Sequence, residues 1–225
     1  MRSGGRRSAW RASTPISAEC LVIVFARAPL AGQVKTRIAQ RIGERAAARL
    51  HERLVRRALH TARAARAARA AVELHVTRPH RWFATLDVPV ELQRGADLGE
   101  RMHHALRAGL RRHARVVLIG ADSPELCAAD LARADRLLQG AADVVLAPAA
   151  DGGYALIGAR RIAPSIFSAV QWGGAHVLAQ TRRNLDEARL GYRLLRTLWD
   201  VDRPEDLERL RARRYSSAWR RRARR

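Results

Sequence analysis

Seven consecutive apolar residues, Cys20 to Ala26 (CLVIVFA), form the first strong pattern in the chain, with no polar position among them. An unbroken run of that length, rich in β-branched side chains, predicts a strand covered on both faces. The same signature returns at Arg115–Gly120 (RVVLIG) and Asp143–Ala147 (DVVLA). Shorter apolar stretches predict strands over Val72–Thr77, near Val88–Leu92, and over Tyr154–Gly158 and Tyr192–Leu198. Between them the period changes. Leu50, Leu54 and Ala58 fall on one face of a long predicted helix, Glu44 to Arg69, as a core-facing stripe requires. Further helices are predicted from Thr36, from Asp97 to His113, over Ala128–Leu138 and Ala175–Ala188, and from Pro204, which suits a first helical turn. Asp97 with Glu100 three residues on reads as a capping box.

Strands alternating with helices predict a three-layer α/β/α sandwich around a mostly parallel sheet. In such sheets ligands bind beyond the carboxyl ends of the strands. The unusual polar motifs of this chain sit at those ends, and this coincidence points to a site.

At 225 residues the chain has room for one domain with a substantial core. The expected division is a basic tail over 1–17, a single domain over 18–210 and a second basic tail over 211–225. Cys20 and Cys127 lie far apart without metal-type spacing, so reduced thiols and a cytoplasmic location are expected. No stretch approaches the roughly 18 apolar residues of a membrane span, and residues 1–17 lack the apolar centre of a secretory signal.

The formal net charge of +22 invites a polyanionic partner. All but one of the 43 basic residues are arginine, however, and they are spread over helices, as in the Ala/Arg run Arg63–Ala71. That is compositional bias more than ligand choice. Nucleic acid is therefore not the expected partner, and the tails, Arg220–Arg225 above all, are the places where such contact would arise.

The single lysine, Lys35, falls in the segment Ala28–Arg37 (APLAGQVKTR), directly after the first strand. A tight turn there, through Pro29 and Gly32, exposes backbone N–H groups that suit phosphate oxygens, with Lys35 and Arg37 adding charge. An ammonium and a guanidinium are not interchangeable at a phosphate. The alternative is a solvated lysine after a turn. The segment is neither a Walker A loop nor G-x-G-x-x-G.

Gly120-Ala121-Asp122-Ser123-Pro124 ends the RVVLIG strand. Asp122 either holds a hard cation such as Mg²⁺ or Mn²⁺ against a diphosphate or caps the turn before Pro124. Asp200 and Asp202 alternate around Val201, so both can face one side and give that cation a second ligand; Asp202 can equally be the N-cap of the last helix. At Asp151-Gly152-Gly153 the glycines permit close approach of a ligand, and Asp151 could serve as a general base; a plain hairpin turn explains the same residues. Gly99 and Arg101 open a helix that could lie beside a nucleotide, or simply be an ordinary capped helix. Trp172 either stacks on a substrate or fills the core. The eight histidines form no zinc spacing, and Ser123 lies in no G-x-S-x-G elbow.

Taken in order, FARAPLAGQVKTRIA, DLGERM, VVLIGADSPEL, DVVLAPAADGGYALIG, IFSAVQW and TLWDVDRPEDLERL resemble a bacterial family of glycosyltransferase-like proteins with the GT-A, nucleotide-diphospho-sugar transferase fold. Its members are often labelled arsenosugar-biosynthesis glycosyltransferases or a domain of unknown function. The likeness spans Cys20 to Leu210. It implies a metal-dependent transferase that moves a sugar from a nucleotide sugar to a small-molecule acceptor. Gly32, Lys35 and Arg37 would hold phosphates and Asp122 would ligate the metal. Asp202, and less directly Asp200, would join it, since the aspartate-rich segment resembles one in CMP-KDO synthetases. Asp151 with Gly152 and Gly153 would face the sugar or acceptor. The alternative on the same fold is a nucleotidyltransferase that joins an NTP to a phosphorylated small molecule with release of pyrophosphate. Arg27 departs from the lysine of many members, and Gly173 and Gly174 follow Trp172 where a small hydroxyl residue is more usual.

Overall fold

The computed structural model describes residues 19–65 and 70–212. The predicted tail over 1–17, the helix end over 66–69 and nearly all of the tail from 211 onward lie outside the described residues.

Seven strands form one sheet: β1 (Cys20–Ala26), β2 (Ala70–Val76), β3 (Val90–Leu92), β4 (Arg115–Gly120), β5 (Val144–Pro148), β6 (Tyr154–Ala159) and β7 (Tyr192–Leu194), in the order β3-β2-β1-β4-β6-β5-β7. Five helices flank it: α1 (Thr36–Ile42), α2 (Glu44–Ala64), α3 (Leu98–Leu110), α4 (Ala128–Gln139) and α5 (Val177–Glu187). A closing helical segment occupies 206–212.

The unbroken apolar run of β1 has the predicted cause. Period-2 alternation sends Val22 and Val24 into a core shared with Val55 and Leu59 of α2 and Leu131 of α4. Leu21, Ile23 and Phe25 go to the opposite face, with Met102 and Leu106 of α3 and Leu185 of α5. A third, smaller core joins Ile38, Leu50, Leu54, Trp199, Val201 and Leu207. It clasps α1 and α2 to the segment after β7, and so fixes two distant parts of the chain beside each other.

The sheet is mostly parallel, as expected; β6 runs antiparallel between β4 and β5, as the hairpin reading of Asp151–Gly153 requires. Two expectations are corrected. The strand expected to reach Leu198 stops at Leu194; the chain leaves the ladder where Arg196 reaches Asp130 at 2.8 Å, and pairing resumes only in the bridge between Ala149 and Leu198. The capping box of α3 is displaced by one residue. Asp97 accepts from the N–H of Glu100 at 2.8 Å, but the Glu100 carboxylate reaches back to the N–H of Ala96, also at 2.8 Å.

Candidate active site

β1 leads away to β2 on one side while β4 lies on its other side. The gap beyond their carboxyl ends is a topological switch point, where doubly wound sheets open a crevice. β1, β4, β5 and β7 all present their carboxyl ends at this edge, because β5 is antiparallel to the same strand, β6, as β4 is and parallel to β7.

Lys35 stands on one lip of the crevice. It precedes α1 in a left-handed backbone conformation, φ 51° and ψ 42°, with no side-chain cap. A non-glycine residue there is strained by roughly 1 kcal/mol or more. Its side chain is only 4% exposed, and Nζ lies 2.9 Å from Asp122 Oδ1 on the other lip. Asp122 itself is half-exposed. α1 has only seven residues, so the ammonium, rather than a helix dipole, is the dominant positive charge at this point. Pro29 is buried at the start of the turn, and Gly32 is exposed at its tip.

The segment after β7 delivers the other carboxylates. The N–H of Val201 donates to the carbonyl of Asp122 at 3.0 Å, and Val201 is fully buried. Asp200 is thereby turned inward, where its carboxylate accepts from the Ser123 hydroxyl. Burial raises its pKa to about 6; the Ser123 bond opposes this, the carboxylates of Asp122 and Asp151 push further up, and Lys35 pulls down. Asp200 therefore feels the charge of both Asp122 and Asp151.

Asp202 and Arg37 meet, but on each other, at 2.8 Å, with both side chains more than half exposed. Asp202 is not the side-chain N-cap of the last helix. Asp206 does the capping work there, its carboxylate accepting from the N–H groups of Asp202 and Arg203 at 2.9 and 2.7 Å.

Asp151 is exposed at the turn between β5 and β6, and accepts from the N–H of Gly153 at 3.0 Å. The turn is a hairpin, since β5 and β6 pair. Gly152, at φ 93°, is needed for a structural reason: a Cβ there would stand 2.0 Å from the carbonyl oxygen of Ala175. Gly99 likewise makes room for a side chain, because its Cβ would meet Trp172 Cζ2 at 2.6 Å. Trp172 packs among Tyr154 and Phe167, with its indole nitrogen buried, which is the core reading of that residue. Arg101 donates to the carbonyl of Gly95 at 3.0 Å and so latches its own loop.

No motif points to His51, and Ser123 belongs to the Gly120–Pro124 motif without a role of its own there. His51, on α2, is 4% exposed; its Nε2 lies 3.0 Å from the Arg27 carbonyl and its Nδ1 3.9 Å from Asp122 Oδ1. The available signal was a polar residue inside the buried stripe of α2.

Among the described residues no three His, Cys, Asp or Glu side chains are gathered into a metal cage. Mg²⁺ and similar hard cations need less than that: they use one or two carboxylates, several waters and the substrate's phosphates. Asp122, half-exposed, and Asp200, crowded by carboxylates, fit that open arrangement.

Residues 46–174 match the family described as an uncharacterized protein conserved in bacteria, DUF2064. The chain belongs to this family. A solved structure agrees with membership of DUF2064. At 32% identity and a TM-score of 0.76, the chain is similar to a protein of Desulfovibrio desulfuricans G20 provisionally assigned as a nucleotide-diphospho-sugar transferase; the match covers 83% of each chain. More remotely it shares the fold of a CMP:2-keto-3-deoxy-manno-octonic acid synthetase complexed with CTP, at 12% identity and TM-score 0.60, over 88% of this chain and 99% of that one. It also shares the fold of Rv0371c from Mycobacterium tuberculosis H37Rv in complex with manganese, at 19% identity and TM-score 0.50, over 85% and 97%. None of the curated proteins matches the chain.

Proposed function

We propose that this DUF2064 chain is a transferase acting on a nucleotide-linked substrate, and that it moves a sugar from a nucleotide-diphosphate sugar to a small-molecule acceptor. One observation carries the reading: a buried lysine and a half-exposed aspartate face each other at 2.9 Å across the β1/β4 crevice. The Desulfovibrio relative, assigned to that reaction class at 32% identity, supports it.

A Mg²⁺ or Mn²⁺ ion bound at Asp122 and Asp200 would neutralise a diphosphate, as the manganese-bound neighbour on this fold suggests. Asp202 could join once Arg37 releases it. Lys35 exchanges its contact with Asp122 for a phosphate oxygen, and Arg37, on the exposed side of the same turn, takes another. In the transfer, the acceptor oxygen bonds to the anomeric carbon as that carbon's bond to the diphosphate oxygen breaks. The diphosphate leaves with the electron pair, and Lys35 and Arg37 stabilise its growing charge. Asp151, exposed at the rim, accepts the acceptor's hydroxyl proton. Gly152 and Gly153 set the position of Asp151, and Trp172 backs the β5–β6 hairpin through Tyr154.

The CTP-bound neighbour favours a second reading, nucleotidyl transfer. Product analysis separates the two. Incubation with sugar nucleotides and Mn²⁺ should release free nucleoside diphosphate. Pyrophosphate release from NTPs, with no nucleoside diphosphate from sugar nucleotides, would replace glycosyl by nucleotidyl transfer. The candidate ligands come from a thermal-shift screen of nucleotides and sugar nucleotides with and without Mn²⁺.

A further inference from the structure

His51 is a buried polar group with one satisfied and one unsatisfied nitrogen. The Arg27 carbonyl can only accept, so Nε2, 3.0 Å away, carries a proton. Nδ1 is buried and has no hydrogen-bond partner among the described residues, and the same is true of Asp122 Oδ1, 3.9 Å from it. Lys35 Nζ touches that same oxygen at 2.9 Å, an ion contact set off the line of a hydrogen bond. Burying unsatisfied polar atoms costs about 1–3 kcal/mol each, and two of them side by side at an ammonium ask for its hydrogens.

We infer that His51 is a positioning residue for Lys35: its neutral ring anchors to the end of β1 through Nε2–H and offers the Nδ1 lone pair to one hydrogen of the Lys35 ammonium. An ammonium has three hydrogens and no acceptor. With one directed to Nδ1 and one to Asp122, the third points into the crevice for a phosphate oxygen. When substrate draws Lys35 from Asp122, Nδ1 keeps the ammonium in place. A neutral ring serves this purpose and an imidazolium would not, since it would repel Lys35. The role at a phosphate rests on the function proposed above; the inferred hydrogen bond to Lys35 does not.

Because Lys35 is the only lysine, the full chain labelled with ¹⁵N-lysine gives one ammonium signal, and its hydrogen exchange can be read in the free protein. His51→Gln keeps a donor for the Arg27 carbonyl and removes the acceptor at Nδ1. His51→Asn places an amide oxygen near Nδ1 and gives up the Arg27 bond. The inference expects exchange about tenfold faster in His51→Gln, the effect of losing one hydrogen bond to a charged donor, with melting temperature nearly kept. His51→Asn should show the reverse. Equal exchange in wild type and His51→Gln, or exchange that simply follows melting temperature in both variants, overturns it. The wild-type imidazole ¹⁵N spectrum gives an independent check that needs no variant: the Nε2–H tautomer with a hydrogen-bonded Nδ1 agrees, and an Nδ1–H tautomer contradicts. Adding inorganic pyrophosphate with Mn²⁺ then separates the two proposals. A Lys35 signal that ignores pyrophosphate counts against the proposed function alone, because the exchange comparison is made before any ligand is present.

Discussion

The N–H of Val201 donates to the carbonyl of Asp122 at 3.0 Å, so main chain, not a fortunate side-chain contact, brings the aspartate-rich segment to the end of β4. Val201 is held on its other side by the small core with Ile38, Leu50 and Leu54. The crevice therefore has one rigid wall that carries Asp122 and Asp200 together. Removing either carboxylate should leave that wall standing.

Asp200 is expected to show this most clearly, through a gain in stability. Its folded pKa of about 6 lies above the ordinary value of 3.8, chiefly because it is buried. The folded protein thus holds a proton that the unfolded chain has released between those two pH values, and stability falls as pH rises through the window. Asp200→Asn should raise unfolding free energy at pH 7 by about 1–3 kcal/mol, with the gap from wild type closing toward pH 4. Denaturant melts at pH 4, 5, 6 and 7 read this directly. A variant less stable than wild type at pH 7 would mean that Asp200 is held by favourable contacts instead.

Glu73 carries the opposite sign. Its hydrogen bond to His75 leads, against burial and with help from Arg112, in lowering its pKa to about 2 from an ordinary 4.5. That stabilisation is present above pH 4.5 and is lost as pH falls toward 2. Glu73→Gln should therefore weaken the protein at pH 7 and lose its difference from wild type in strong acid. A constant difference across an acid titration would contradict the assignment.

Gly152→Ala should be severely destabilising, by about 2–4 kcal/mol. The new methyl group would enter the backbone of Ala175 at a positive φ that alanine resists. Gly153→Ala, whose Cβ would meet only Asp151 Oδ1 at 3.3 Å, should cost far less. Thermal melts of the pair test this ordering, and equal losses would place the constraint elsewhere.

Much of this arrangement was legible in the amino-acid sequence. β1 and β4 were readable because strands buried on both faces leave unbroken apolar runs, and Lys35 stood out as a lone lysine among arginines. Asp122, at the abrupt end of RVVLIG, was readable for the same reason as its strand. The reversed direction of β6 was legible in the short Asp151–Gly153 turn, since a connection of that length joins only antiparallel neighbours. The pairing of Arg37 with Asp202, 165 residues apart, was not, because each motif in isolation would assign its residue to a ligand. The packing of Gly152 against Ala175 and of Gly99 against Trp172 was not legible either, because each partner comes from a distant part of the chain. His51 is not legible in the sequence, because its neighbours Arg27 and Asp122 come from two other parts of the chain and only the fold assembles them.

Titration calorimetry of UDP and GDP with Mn²⁺, on wild type and on Asp122→Asn, tests the central claim most directly. Wild type should bind at least one of the two only when Mn²⁺ is present, and Asp122→Asn should lose that binding while its melting profile stays cooperative. Mn²⁺-dependent binding that survives unchanged in Asp122→Asn would remove Asp122, and with it the crevice between β1 and β4, from the site of nucleotide recognition.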